Sequence, residues 1–330
     1  IFELSELEDN KASLGIIFAS LAKTTTLICI ESIFGTLVII SNIIMITVLI
    51  AGRKKLMKNN FYIIVANLVV FTSLKAFIEL GFIIPYYIMR SDNNVATEHM
   101  KLKFGYFSTK YELLIFNLSV LADYGVLFFS VLISLNRLYI VTRKDLSKIS
   151  RTTTVISCIF VWMCSAIIPL LFFFCECQYV YNATYNLYHN KCAALTRFPS
   201  NVLEFFINCL TYSAYSCCLV VMIIYSLIFV LLRKRRKGSI FSNNFNRTSP
   251  QMRLIRQSFL VFILYAASII SVLVLSFLPS LNNGKAENLI NVSDVAYAEN
   301  LLNLSIAAVY PICFLFMSGE MRRQVISLLV

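Results

Sequence analysis

Long apolar runs, separated by short polar and mostly basic segments, make up almost the whole chain. Windows of about twenty predominantly apolar residues, enough to cross roughly 30 Å of hydrocarbon at 1.5 Å per residue, fall at 24–50, 61–89, 111–141, 153–174, 200–232, 254–279 and 297–317. The pattern predicts an all-α membrane protein, a seven-transmembrane helix bundle. After the seventh run, Gly319 breaks the helix. Met321, Val325 and Leu328, with Arg322 and Arg323 between them, then predict a short amphipathic helix lying along the inner leaflet. The expected organisation is an extracellular N-terminal arm over 1–23, a seven-span helix bundle over 24–317 and a cytoplasmic helix and tail over 318–330. The first run has no basic stretch before it and no small-residue cleavage site after it, so it is not read as a signal peptide.

Composition agrees with that pattern. Of 330 residues 58% are hydrophobic and the mean hydropathy is +0.76, well above the apolar content of ordinary globular domains, roughly 45–50%. The formal charge of +12 sharpens the picture because it is unevenly spread. Segments 51–60, 142–152 and 233–256 and the tail after Ser318 hold eighteen of the 29 lysines and arginines, with only Asp145 and Glu320 as acids. By the positive-inside rule these segments face the cytoplasm, which puts the N-terminus outside and the C-terminus inside. The sequons at Asn182 and Asn291 then fall in external loops, as glycosylation requires, whereas that at Asn246 falls inside.

Polar residues within the apolar runs are the candidate chemistry. Lys75 and Glu79 in span 2 are four apart, so they share a helix face and can form an ion pair. Asp123 in span 3 can join them. It lies fourteen residues before Arg137, which places it about 21 Å above the inner boundary, where a pocket open to the outside would have its floor. Charged residues at that depth face the bundle interior or a wet cavity. Two readings stand: a ligand site, or a satisfied structural triad of Lys75, Glu79 and Asp123. Asn42 in span 1 reads as a helix-packing amide, with Glu31 nearer that span's outer end, and mid-span Trp162 also reads as a packing residue.

Seven of the ten cysteines lie within spans, where they act as small hydrophobes. Cys175, Cys177 and Cys192 lie at or in the second external loop, where oxidising conditions allow a disulfide. Cys177 with Cys192 is the better pair, because Cys175 sits at the end of a span. The loop between them is rich in tyrosine, including Tyr181 and Tyr188. Clustered aromatics there suit recognition of a small amphipathic molecule or contact with the headgroup layer.

Several motifs in order resemble a rhodopsin-like G-protein-coupled receptor. They are Asn42 in span 1, Asn136-Arg137-Leu138-Tyr139 at the end of span 3, Trp162 in span 4, Tyr225 in span 5 and Tyr310-Pro311-x-x-Phe314 in span 7. The chain also departs from that plan. Thr72 stands in the place of the span 2 aspartate that binds sodium, and Glu112 in the place of the span 3 disulfide cysteine. Ser119 occupies the position of the amine receptors' aspartate, which argues against a biogenic amine. Together with the paired-cysteine loop, Arg256-Gln257-Ser258 at the start of span 6 and Gly-Glu-Met-Arg-Arg after span 7, these departures resemble the nematode serpentine chemoreceptors, the Srx and Srv branches being nearest.

The resemblance implies a plasma-membrane chemosensory receptor that binds an environmental small molecule in an outer pocket and activates a heterotrimeric G protein. It implies no cofactor, no metal and no nucleic-acid partner, and membrane lipid as the surroundings. Asp123, Lys75, Glu79, Ser119, Tyr181 and Tyr188 are then the candidate pocket residues. Asn136, Arg137, Tyr139, Tyr225, Tyr310, Pro311, Arg233 and Arg256 are the candidates for coupling and switching.

A seven-span transporter or channel is the alternative. Transporters show repeats and helices interrupted by Gly or Pro near the midplane; Gly35 and Gly125 are the candidates here, and no repeat is visible. A retinal protein needs a span 7 lysine, and residues 297–330 contain none. An intramembrane hydrolase is disfavoured because both histidines, His99 and His189, fall in external loops, so the expectation is a protein that is not an enzyme.

Overall fold

The structure, a computed structural model, describes residues 26, 29–85, 109–142, 150–174, 177–182, 187–192, 200–239, 261, 263, 265–267, 301, 304–308, 310–315 and 319–329. Of 177–182 and 187–192 only the backbone is described. The N-terminal arm 1–23, Arg256 and Asn291 lie outside the described residues.

Five helices among the described residues are long and apolar enough to cross a membrane: Cys29–Ala51, Asn60–Ile83, Leu113–Thr142, Arg151–Phe174 and Ser216–Lys234. They correspond to spans 1 to 5. The span 3 helix runs over Thr109–Thr142 and the span 5 helix over Ser200–Ser239. Span 6 is helical at its described positions, among them Val261 and Tyr265, and span 7 is represented by the apolar helix Leu304–Leu315.

Span 3 is the centre of the packing, in contact with spans 2, 4 and 5. Two glycines set how closely neighbouring helices approach. A Cβ on Gly125 would collide with the Phe71 ring of span 2, and one on Gly35 would come within 2.9 Å of Leu80. Both helices run unbroken through these positions. Gly35 and Gly125 are therefore points of close helix approach, not the interruptions a transporter site would need.

Span 2 starts at a capped end, where the Asn59 side chain accepts from the Phe61 N–H at 3.1 Å. Its outer end changes to π-helix over Glu79–Ile83. Such an insertion turns the following side chains relative to a regular helix. The core below is built from residues such as Met45, Leu68, Phe71, Phe129, Ile133 and Ile228. Large apolar side chains on the outer faces, Ile156, Phe160 and Met163 of span 4 among them, are exposed, as lipid-facing positions are.

Beyond the spans, the described residues include a hairpin and a further helix. The segment after span 4 is an antiparallel hairpin, β1 Cys177–Asn182 and β2 Leu187–Cys192, with β1 against spans 3 and 4. The helix Gly319–Leu329 follows span 7. Its Met321 is fully buried and its Val325 packs against the core, while Arg322, Arg323 and Ile326 are exposed. The amphipathic helix expected from the sequence is present.

Candidate functional site

The half of the bundle nearer the hairpin holds a buried charge cluster centred on Lys75. Its ammonium lies 2.9 Å from Glu79 Oε1, one turn on in the same helix, and 3.0 Å from each carboxylate oxygen of Asp123 on span 3. It also donates to Ser119 Oγ at 3.4 Å. Ser119 and Asp123 are one turn apart, so span 3 presents both to the same ammonium. Lys75 and Glu79 are 2% and 1% exposed, whereas the Asp123 side chain is 28% exposed. The cluster is therefore closed on the span 2 side and open beside Asp123. The Lys75–Glu79 contact is a close charge pair without hydrogen-bond direction, since Glu79 Oε1 has no directed donor.

Glu31 of span 1 belongs to the same region, interacting electrostatically with both Glu79 and Lys75. It is 3% exposed, and neither of its carboxylate oxygens has a hydrogen-bond partner. An acid inside span 1 is visible in the sequence, but its convergence on span 2 depends on how the two helices are rotated.

Deeper in the bundle, polar side chains tie neighbouring helices together. Thr72 donates to Asn42 Oδ1 at 3.1 Å, and Trp162 Nε1 donates to Asn67 Oδ1 at 2.9 Å. The Trp162 ring also stacks on Phe71 at 4.2 Å between centroids. Asn42 and Trp162 are packing residues, as their sequence positions suggested.

At the opposite end of the bundle, Arg137 is 6% exposed and held by rings. Its guanidinium carbon stands 4.9 Å from the Phe61 centroid and 5.7 Å from that of Phe314, within the range of cation–π attraction. The two rings meet edge-on at 5.4 Å. Tyr62, Tyr225, Tyr310 and Cys313 complete its electrostatic surroundings. Tyr310 donates to the Tyr265 hydroxyl at 3.4 Å, and so joins span 7 to span 6. Spans 2, 5 and 7 thus meet span 3 at this cation, and span 6 reaches the group through Tyr310.

Asn136 and Pro311 are buried, Tyr139 is half-buried and Arg233 is exposed. Phe61, Phe314 and Tyr265 were not among the expected coupling residues. Phe314 had a signal, as the last residue of Tyr310-Pro311-x-x-Phe314; Phe61 and Tyr265 are two of many span aromatics and had none.

In the hairpin, Cys177 is the register partner of Cys192, and Tyr181 of Tyr188. Directly opposed antiparallel residues have Cα atoms about 4.5–5.5 Å apart, within the range a disulfide bridges. Asn182 ends β1.

A bundle of apolar helices around a central span, with a charge cluster in the half nearer the hairpin and a buried arginine at the opposite end, has the architecture of a multi-pass membrane protein. Residues 29–283 match the family described as serpentine type 7TM GPCR chemoreceptor Srx, and the chain belongs to that family of seven-transmembrane chemoreceptors. Of the two branches the sequence resembles, the match is to Srx; Srv is not confirmed. No curated protein matches the chain at a significant level.

Proposed function

We propose that this chemoreceptor binds a small molecule in the outer half of its bundle and activates a heterotrimeric G protein at its cytoplasmic face, acting in the plasma membrane rather than as an enzyme. The N-terminus is outside and the C-terminus inside, in keeping with the basic inner segments. The observation that carries the reading is Arg137, buried between Phe61 and Phe314 where spans 2, 5 and 7 meet span 3. An arginine in that position is accessible to a cytosolic partner only after the rings separate.

A ligand that binds one helix arrangement better than another shifts the population toward it. Span 3 carries Asp123 and Ser119 at the outer cluster and Arg137 at the inner cage on one continuous helix. A shift of span 3 relative to spans 2 and 7 therefore alters both ends together. Arg233 at the end of span 5, and Arg256 opening span 6, add basic surface for the G protein. Tyr181 and Tyr188 of the hairpin would cover the outer site, and a Cys177–Cys192 disulfide would hold that cover.

The test is guanine-nucleotide exchange on a panel of G-protein α subunits, in membranes carrying the receptor, with and without pooled odorants. Stimulated exchange that Arg137→Ala abolishes while ligand binding persists is the expected result. Loss of binding and exchange together, with surface expression preserved, would count against this assignment.

A further inference from the structure

We propose that a groove at the ends of spans 1, 2 and 4, on the Arg137 side of the bundle, binds the headgroup of an inner-leaflet lipid through Arg53, Lys54, Lys58 and Arg151. The lipid is of the phosphatidylinositol bisphosphate class, with several phosphates on one headgroup. The inference uses the orientation read from the basic segments and goes beyond the ligand and G-protein reading above.

The groove is built by a turn and a helix end that are far apart in the sequence. Span 1 ends at Ala51, and the short helix Arg53–Leu56 that follows is fixed by Leu56, which is buried in the core. Arg53, Lys54 and Lys58 around it are exposed. Arg151, also exposed, is the first residue of the span 4 helix. With Met57, these four cations line one cavity of about 410 Å³, and no acid lines it. That is the size of a small-molecule site, roughly 300–1,000 Å³. A second groove of about 450 Å³ shares Arg53 and Lys54, adds Lys55, and is bordered by Ile50 of span 1 and Gln324 of the helix after span 7.

Like charges gathered on one cavity repel, and among the described residues no carboxylate pairs with any of the four. Orientation by the positive-inside rule requires basic residues near the helix ends; it does not require two separate segments to face one cavity. A headgroup with a single negative charge would leave most of that charge unmatched. Two phosphomonoesters, each carrying about −1.5 to −2, with the diester that joins them to the lipid, roughly match four cations. Basic pockets between membrane helices on the cytoplasmic side recognise such headgroups.

The surroundings favour a lipid over an acidic protein segment. Val155 and Ile159 stand one and two turns on from Arg151 along span 4, and both are exposed. Ile50, which borders the second groove, is exposed as well. A headgroup in the groove therefore has lipid-facing apolar surface directly beside it for its acyl chains.

The test measures thermal unfolding of the full chain in phosphatidylcholine nanodiscs containing increasing amounts of phosphatidylinositol bisphosphate. Phosphatidylserine at matched total charge, soluble inositol trisphosphate and a glutamate-rich peptide are the separate arms. The bisphosphate lipid should raise the unfolding midpoint as its content rises, and the other three should not. Arg151→Gln should weaken the apparent affinity about tenfold, in line with loss of a hydrogen bond to a charged group. Lys54→Gln serves the same purpose if Arg151→Gln does not fold. Lys234→Gln removes an exposed charge at the end of span 5, outside the groove, and should leave the affinity unchanged. An equal shift with phosphatidylserine, or an equal loss in Lys234→Gln, would reduce the effect to diffuse attraction and overturn the proposal. So would an equal shift with the soluble headgroup, which would make the ligand a free phosphate, or with the peptide, which would make it a protein partner. No shift with the bisphosphate lipid, or a shift that both groove variants retain, would overturn it outright. No G protein or odorant takes part in this measurement, so its outcome is separate from that of nucleotide exchange.

Discussion

The guanidinium of Arg137 and the ammonium of Lys75 are both buried, yet they are held by different chemistry. Aromatic faces surround the first and carboxylates the second. Cation–π attraction is worth about 2 kcal/mol or more when desolvated, so the Arg137 cage is firm but reversible. The Lys75 cluster is less forgiving. Removing one partner of a buried ion pair leaves an uncompensated charge and costs roughly 3–5 kcal/mol. Lys75→Met should therefore lower the unfolding midpoint and the surface level sharply, measured by thermal scanning in detergent and surface labelling. An unchanged midpoint would mean that the carboxylates are neutral without the lysine. The Lys75–Glu79 pair was legible in the sequence, because residues four apart on a helix always share a face. The approach of Glu31 was not, because sequence spacing carries no information about which face of span 1 meets span 2.

At the scale of elements, span 3 is positioned by a side chain that is missing. Gly125 lets the Phe71 ring of span 2 lie against the span 3 backbone, and Phe71 in turn stacks on Trp162 and Phe129. Gly125→Val should separate spans 2 and 3 and destabilise the bundle by about 1–3 kcal/mol, as overpacking does. Thermal unfolding measures the loss, and a double variant with Phe71→Ala should recover part of it. No recovery would mean that the clash lies elsewhere. The sequence offers Gly125 only as a small residue in an apolar run, consistent equally with a helix break and a close contact. The continuous helix Thr109–Thr142 decides for contact. The second external loop shows the same limit. Its paired cysteines were legible, whereas the hairpin that sets Cys177 opposite Cys192 and Tyr181 opposite Tyr188 is a matter of backbone register.

Across the whole molecule, the separation of an outer acidic cluster from an inner basic and aromatic end makes orientation the property to check. Glycosylation is the expected outcome at Asn182 and Asn291 and not at Asn246. Glycosidase mobility shifts on the three single Asn→Gln variants measure it, and a glycan at Asn246 would reverse the proposed topology. The sequence by itself determined the membrane-length helices and the amphipathic helix after span 7, because transfer of apolar residues into lipid is a sum over residues and needs no partner. Motif order pointed to the receptor class, and the matching residues 29–283 bear that out. Only the tertiary structure decided that Lys75 reaches Asp123 and Ser119 of span 3, that Phe61 and Phe314 enclose Arg137, and that Gly125 receives Phe71. The physical reason is common to all three: contacts between helices depend on their rotation and separation, which are set by packing over the whole bundle and not by any one segment.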